Sequence, residues 1–212
     1  MTHTLHRRGQ PSDLCDDHIL LVMPARGVNL EGSGPAMREV WRIIARYDDE
    51  LINYGNLTAG NRYRTSLEEF QRVDSRLIHA VFRTKAALEA CLADLKAGDL
   101  GPSVVVTDVR GDAFEMCEKA GISPHTVNLS LGLHGRTDRL PPEPVLEITT
   151  MCGHALVASD LVMEKVAMVR EGRETAAEAA EGLALLCECG IFNTARAQRL
   201  IRRLAEQPVS ES

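Results

Sequence analysis

Two short stretches carry most of the chain's chemical potential. Cys152-Gly153-His154 and Cys187-Glu188-Cys189-Gly190 together offer three thiols and an imidazole, each from the edge of a helix-like run. Thiolates and imidazoles are the usual ligands of zinc and of iron–sulfur clusters, which need side chains converging from fixed backbone. A glycine follows Cys152 and another follows Cys189, so the backbone there can turn sharply or approach a neighbour closely. Neither stretch has the CxxC spacing of a zinc knuckle, so the pattern points to a metal without naming it. Three chemistries fit. Cys152, Cys187 and Cys189 can hold a [4Fe-4S] cluster with one iron open; with His154 as fourth ligand they make a Cys3His zinc site in a structural or interaction module. A metal-free enzyme would instead use Cys152 as nucleophile, its thiolate favoured at the start of a helix expected over residues 153–170.

The three-cysteine reading is similar in ligand count to the aconitase-type hydro-lyases and to some desulfidases, although the aconitase-type cysteine spacing is not present. In those enzymes three cysteines hold a [4Fe-4S] cluster and the fourth iron grips the substrate. The resemblance implies a lyase or desulfidase acting on a small anionic metabolite, with the open iron as Lewis acid and His154 as general acid or base. His125 and His134 are secondary candidates for proton transfer. Arg110 and Arg136 can hold a substrate carboxylate bidentately, and Arg62 and Arg64 can meet the same anion. Cys91 and Cys117 fall on apolar helix faces and read as core.

Composition narrows the class of protein. The 212 residues carry 24 Lys and Arg against 30 Asp and Glu, a formal charge of −6, which argues against a nucleic-acid binder. Arg196, Arg199, Arg202 and Arg203 make a local basic run that reads as a solvated helix face. The first residues lack the apolar core of a secretory signal, and no apolar run approaches the roughly 20 residues that span a bilayer. A cytoplasmic location with reduced thiols is the expectation, and a homo-oligomer is compatible with it.

The elements that must position these residues follow from hydrophobic period and punctuation. Residues 1–17 read as a disordered lead-in, 18–140 as an α/β domain, 141–206 as a helical part carrying the Cys/His site, and 207–212 as a tail. Residues 18–23 (HILLVM) suit a buried strand. The glycine-rich loop 26–34 follows, which can cradle a phosphate or carboxylate on backbone N–H groups, although it is neither a dinucleotide fingerprint nor a P-loop. Met37, Val40, Trp41 and Ile44 then mark one helix face. Residues 53–64 (NYGNLTAGNRYR) read as a loop. Beyond it come a strand at 76–83, a helix at 84–96 capped by Thr84, a strand at 103–108, a short helix through Cys117, and a strand at 124–133 that alternates Val127, Leu129, Leu131 and Leu133 with polar residues. This order is α/β (α+β): a ferredoxin-like sandwich or a small parallel-sheet sandwich, followed by a helical C-terminal part. Pro141, Pro142 and Pro144 mark the boundary. The run 145–149 is short and apolar, and helices beyond it are capped by Thr175 and by Asn193 or Thr194.

Overall fold

The structure, a computed structural model, describes residues 4–207. The chain divides into two compact units. One comprises Pro11–Val127 and Glu188–Ile191; the other takes the remaining described residues, 4–10, 128–187 and 192–207.

In the first unit, a short helix α1 (Pro11–Leu14) precedes β1 (His18–Met23), α2 (Gly34–Ala45), β2 (Leu51–Asn56), β3 (Gly60–Asn61), a one-turn helix α3 (Leu67–Phe70), β4 (Ile78–Phe82), α4 (Lys85–Gly98), β5 (Ser103–Thr107) and α5 (Arg110–Lys119). Among the described residues the strands form one sheet in the order β3-β2-β4-β1-β5, and every neighbouring pair is antiparallel. Leaving aside the two-residue β3, the chain order β1-α2-β2-β4-α4-β5 with the spatial order β2-β4-β1-β5 is the ferredoxin-like arrangement. The parallel-sheet alternative is overturned. Each helical crossover skips one position in the sheet, and a strand of opposite direction fills it: β4 lies between β1 and β2, and β1 between β4 and β5.

Register sets which side chains form the core. Leu20 stands opposite Ala80 and Val22 opposite Ile78, and both pack with Met37, Trp41 and Ile44 of α2 and Leu88, Cys91 and Leu92 of α4. Trp41 stacks on Phe70 with ring centroids 4.6 Å apart. Each fully buried side chain of this size contributes about 1.5–3 kcal/mol of transfer free energy, so these contacts outweigh any single hydrogen bond in the unit. Thr84 caps α4 as expected, accepting from the N–H of Ala87 at 3.2 Å.

Within the expected loop at 53–64, residues 53–56 and 60–61 are instead buried strands of a hairpin, while its turn is exposed, with Leu57 at 54%. Its buried polar residues, which read as exposed, satisfy the backbone from inside. The Asn56 carboxamide oxygen accepts from the N–H groups of Thr58 and Ala59, closing the turn between β2 and β3. Arg62 donates to the carbonyls of Leu51 and Ile52 at 2.6 and 2.8 Å and lies over the Tyr54 ring. The expected strand at 124–133 does not form. Val127, Leu129, Leu131 and Leu133 are 51%, 60%, 88% and 39% exposed, because alternation fixes a face but supplies neither a neighbouring strand nor a surface to cover it.

The second unit is helical: α6 (Glu143–Thr149), α7 (Ser159–Arg170), α8 (Ala176–Ala184) and α9 (Thr194–Glu206), with α9 against the other three. Residues 145–149 are therefore helix, and the helix expected from residue 153 begins only at Ser159. Thr175 forms a capping box with Glu178, and Asn193 caps α9 through the N–H of Arg196. The basic run of α9 is only partly a solvated face. Arg196 is fully buried and donates to the carbonyl of Arg8 at 2.5 Å, while Arg203 pairs with Glu147. Residues 7–8, expected to be disordered, are thereby tied to the helices, with Arg8 also forking onto Glu143 at 2.7 and 2.5 Å. The residues of the expected tail from 208 onward lie outside the described residues.

Residues 188–191 return to the sheet unit through a close backbone contact. At Gly190 (φ +76°) a Cβ would lie 2.2 Å from the carbonyl carbon and oxygen of Tyr54 in β2, and at Gly55 a Cβ would lie 3.0 Å from the carbonyl oxygen of Cys189. Only glycines permit that approach. Gly27 has nearly the same φ, +75°, but nothing within 4 Å of a Cβ. Gly27→Ala is expected to cost about 1–2 kcal/mol for the left-handed backbone alone. Gly190→Ala should cost clearly more, about 3 kcal/mol or beyond, measured by urea unfolding. Equal costs would show that the contact is dispensable.

Candidate thiol site

The site grows out of the end of α6. Thr150 closes the helix, its hydroxyl donating to the carbonyl of Leu146, and the chain tightens through Met151 N–H to Ile148 and Cys152 N–H to Thr149. A further turn, Ala155 N–H to the Cys152 carbonyl, places Ala155 in the left-handed region at φ +56°. For a residue with a Cβ this costs about 1–2 kcal/mol, so the turn is held by its surroundings rather than by local preference. Its result is that the N–H groups of Leu156 and His154 both donate to the sulfur of Cys152. Cys152 thus follows a helix C-terminus, not a helix N-terminus as the sequence suggested, and its donors come from the turn.

Cys187 arrives from the end of α8. Leu186 and Cys187 donate to Leu183 and Ala184, winding α8 into a last tight turn that buries Cys187 completely. The Cys152 and Cys187 thiols are hydrogen-bonded to each other, with Cys152 only 2% exposed. The hydrogen bond to Cys187, then burial, push the Cys152 thiol well above its ordinary range; the Leu156 and His154 N–H groups pull the other way and lose. Residues 7–8 brace the turn: the Arg7 guanidinium donates to the Met151 carbonyl at 3.2 Å, and the Arg8 N–H to the Thr150 hydroxyl at 3.0 Å.

The other sequence-selected residues have varied fates. His154 is exposed on the same turn. Cys189 is buried and belongs to the sheet unit with Gly190. His134 is exposed, with Nε2 3.1 Å from the Leu131 carbonyl, and Arg136 forks onto Asp138 at 3.0 and 2.9 Å. Arg62 is committed to the β2 carbonyls, and Arg64 lies 3.8 Å from Glu188. His125 lines a cavity of about 280 Å³ beside Lys96 and Asp99 in the sheet unit. Arg110 opens α5, and its side chain lies outside the described structure. Among the described residues no group of three or more His, Cys, Asp or Glu side chains is set to hold a metal ion.

No protein-family model, curated protein or solved structure matches the chain. Its chemistry rests on geometry, and the geometry adds one pair that sequence reasoning missed. His18 Nδ1 and Asp108 Oδ2 are 2.5 Å apart and buried, at the ends of paired strands β1 and β5. Burial pushes the Asp108 carboxyl up, opposed by its bond to His18. Ninety positions separate the two, and only the strand register, Ile19 opposite Thr107, shows that they are neighbours.

Burial and the raised thiol range set an expectation for reactivity. In metal-free native protein, iodoacetamide should modify exposed Cys15 first and leave Cys152 and Cys187 protected until the chain unfolds, as read by peptide mass spectrometry. Rapid labelling of Cys152 in the folded state would instead mark it as an activated nucleophile.

Proposed function

We propose that the chain is an iron–sulfur enzyme of the lyase or desulfidase type, acting on a small anionic metabolite, with Cys152, Cys187 and Cys189 as cluster ligands. The observation that carries this is the Cys152–Cys187 pair: two buried thiols from separate segments, in contact, with two backbone N–H groups donating to one sulfur. The donor set fits a thiolate-bound group. N–H donors to sulfur spread the negative charge of a bound thiolate and tune what it holds. Two neutral thiols gain little from those donors, whereas a cation that displaces their protons turns each N–H into a charge-assisted partner. Cys189, two residues beyond Cys187, is the third ligand on sequence grounds.

When bound, such a cluster supplies an open iron that acts as a Lewis acid on a hydroxyl, carboxylate or sulfur atom. The chain supplies the rest. His154, exposed on the turn that holds Cys152, is the general acid or base, since an imidazole in contact with solvent can exchange protons at each turnover. The bracing of Thr150 and Met151 by Arg7 and Arg8 fixes the turn, so the N–H groups stay aimed at sulfur. The direction of the Cys152 shift disfavours the nucleophile reading, because a thiol pushed well above its ordinary range ionises less readily.

The test is reconstitution with iron and sulfide without oxygen. Cys152→Ala, Cys187→Ala and Cys189→Ala should each fall to background iron, while Cys91→Ala and Cys117→Ala retain the wild-type amount. Equal iron in all five variants would end the proposal. His154→Ala should keep the iron and lose turnover; loss of metal from that variant, with zinc in the wild type, would favour the Cys3His zinc site.

A further inference from the structure

The glycine-rich loop, to which the cysteine chemistry gives no role, walls a cavity of about 860 Å³ in the sheet unit. That volume suits a small metabolite. Three segments meet there: residues 30–35, which run into the first turn of α2, Thr58 in the β2–β3 turn, and residues 74–76 before β4. Three features of the wall favour an oxyanion.

The first is the start of α2. Ser33 makes no side-chain cap, and Pro35 has no N–H, so on the cavity wall Gly34 offers the first-turn N–H donor at the positive end of a 12-residue helix. The second is Ser75, 2% exposed. Its Oγ accepts from the Trp41 indole N–H at 3.0 Å and from the Asn56 carboxamide NH2 at 2.8 Å. The Asn56 orientation is fixed, because its oxygen already accepts from Thr58 and Ala59. Both Ser75 lone pairs are therefore used. Its hydroxyl hydrogen, at the cavity wall, has no acceptor among the described residues. The third is charge. Arg76 lines the cavity, exposed and without an ion pair among the described residues, while Arg38 pairs with Asp74.

Asp74 occupies the position over the helix start. Its carboxylate lies over Gly34, where a Cβ would come within 2.6 Å of all three carboxylate heavy atoms, and its ion pair with Arg38 holds it there. That side chain is 69% exposed and can swing outward. Glu31 is the other carboxylate on the wall and balances one guanidinium, so the hydroxyl and N–H donors decide the preference.

We propose that this cavity binds the phosphate or carboxylate group of a small metabolite, with Ser75, the first turn of α2 and Arg76 as donors and Asp74 as the group displaced. This site is independent of the cysteine chemistry. The single tryptophan of the chain reports on it directly, because its indole N–H is bonded to Ser75. The experiment is Trp41 fluorescence of the full chain, titrated with inorganic phosphate and separately with succinate at constant ionic strength. The expected result is a saturable change with a midpoint of about 1 mM or tighter for at least one probe. A response to phosphate alone assigns a phosphorylated ligand, and one to succinate alone a carboxylate. Arg76→Gln, at an exposed position, should weaken it about tenfold, and Asp74→Asn should tighten it. No response to either probe, a response that does not saturate, or one unchanged in Arg76→Gln would overturn the proposal.

Discussion

Backbone lies on backbone where Cys189 and Gly190 meet strand β2, and no side chain larger than hydrogen fits at Gly190 or Gly55. That contact makes demands on the sheet beneath it. All of β2 is buried, so its polar groups must be satisfied internally, and Asn56, Arg62 and Ser75 do this with hydrogen bonds that water would otherwise make. It also fixes the C-x-C stretch by packing rather than by loop chemistry. Cys187 closes the end of α8 and belongs to the helical unit, while Glu188–Ile191 belongs to the sheet unit, so the two cysteines of that stretch are held by different surroundings.

The thiols differ in what burial does to them. Cys91 is an ordinary core thiol: burial, with Asp94 adding to it, pushes it up to about 12. At Cys152 the largest cause is a second thiol, and two N–H donors work against it. The competition is the informative part. Donors that fail to ionise a thiol on their own become fully effective once a cation takes the proton's place, and a helix C-terminus just before Cys152 gives no competing stabilisation of a bare thiolate. The left-handed Ala155 is the local strain that this aim requires.

Much of the frame was legible because its signals are local. The caps at Thr84, Thr175 and Asn193, the apolar stripe of α2 and the runs that became β1, β4 and β5 each declare themselves within a few residues. The failures share a cause, which is that partnership is not local. Residues 53–64 read as loop by composition, yet their asparagines and Arg62 serve the backbone from inside. Residues 124–133 read as strand by alternation, yet among the described residues no strand pairs with them. Arg196 read as solvated by its neighbours in sequence, and is buried on the carbonyl of Arg8, 188 positions away. Of the site, the sequence showed Cys152 and Cys187 as candidates. It could not show that their thiols touch, that a turn rather than a helix supplies the donors, or that His18 and Asp108 pair.

The most direct test of the account is the visible absorption spectrum, with iron, acid-labile sulfide and zinc content, of wild-type protein purified without oxygen. A thiolate-held iron–sulfur cluster predicts a coloured protein containing iron and sulfide, with a broad charge-transfer band at roughly 400 nm that bleaches on reduction. Colourless protein that holds neither iron nor sulfide under those conditions would contradict the reading of Cys152 and Cys187 as cluster ligands.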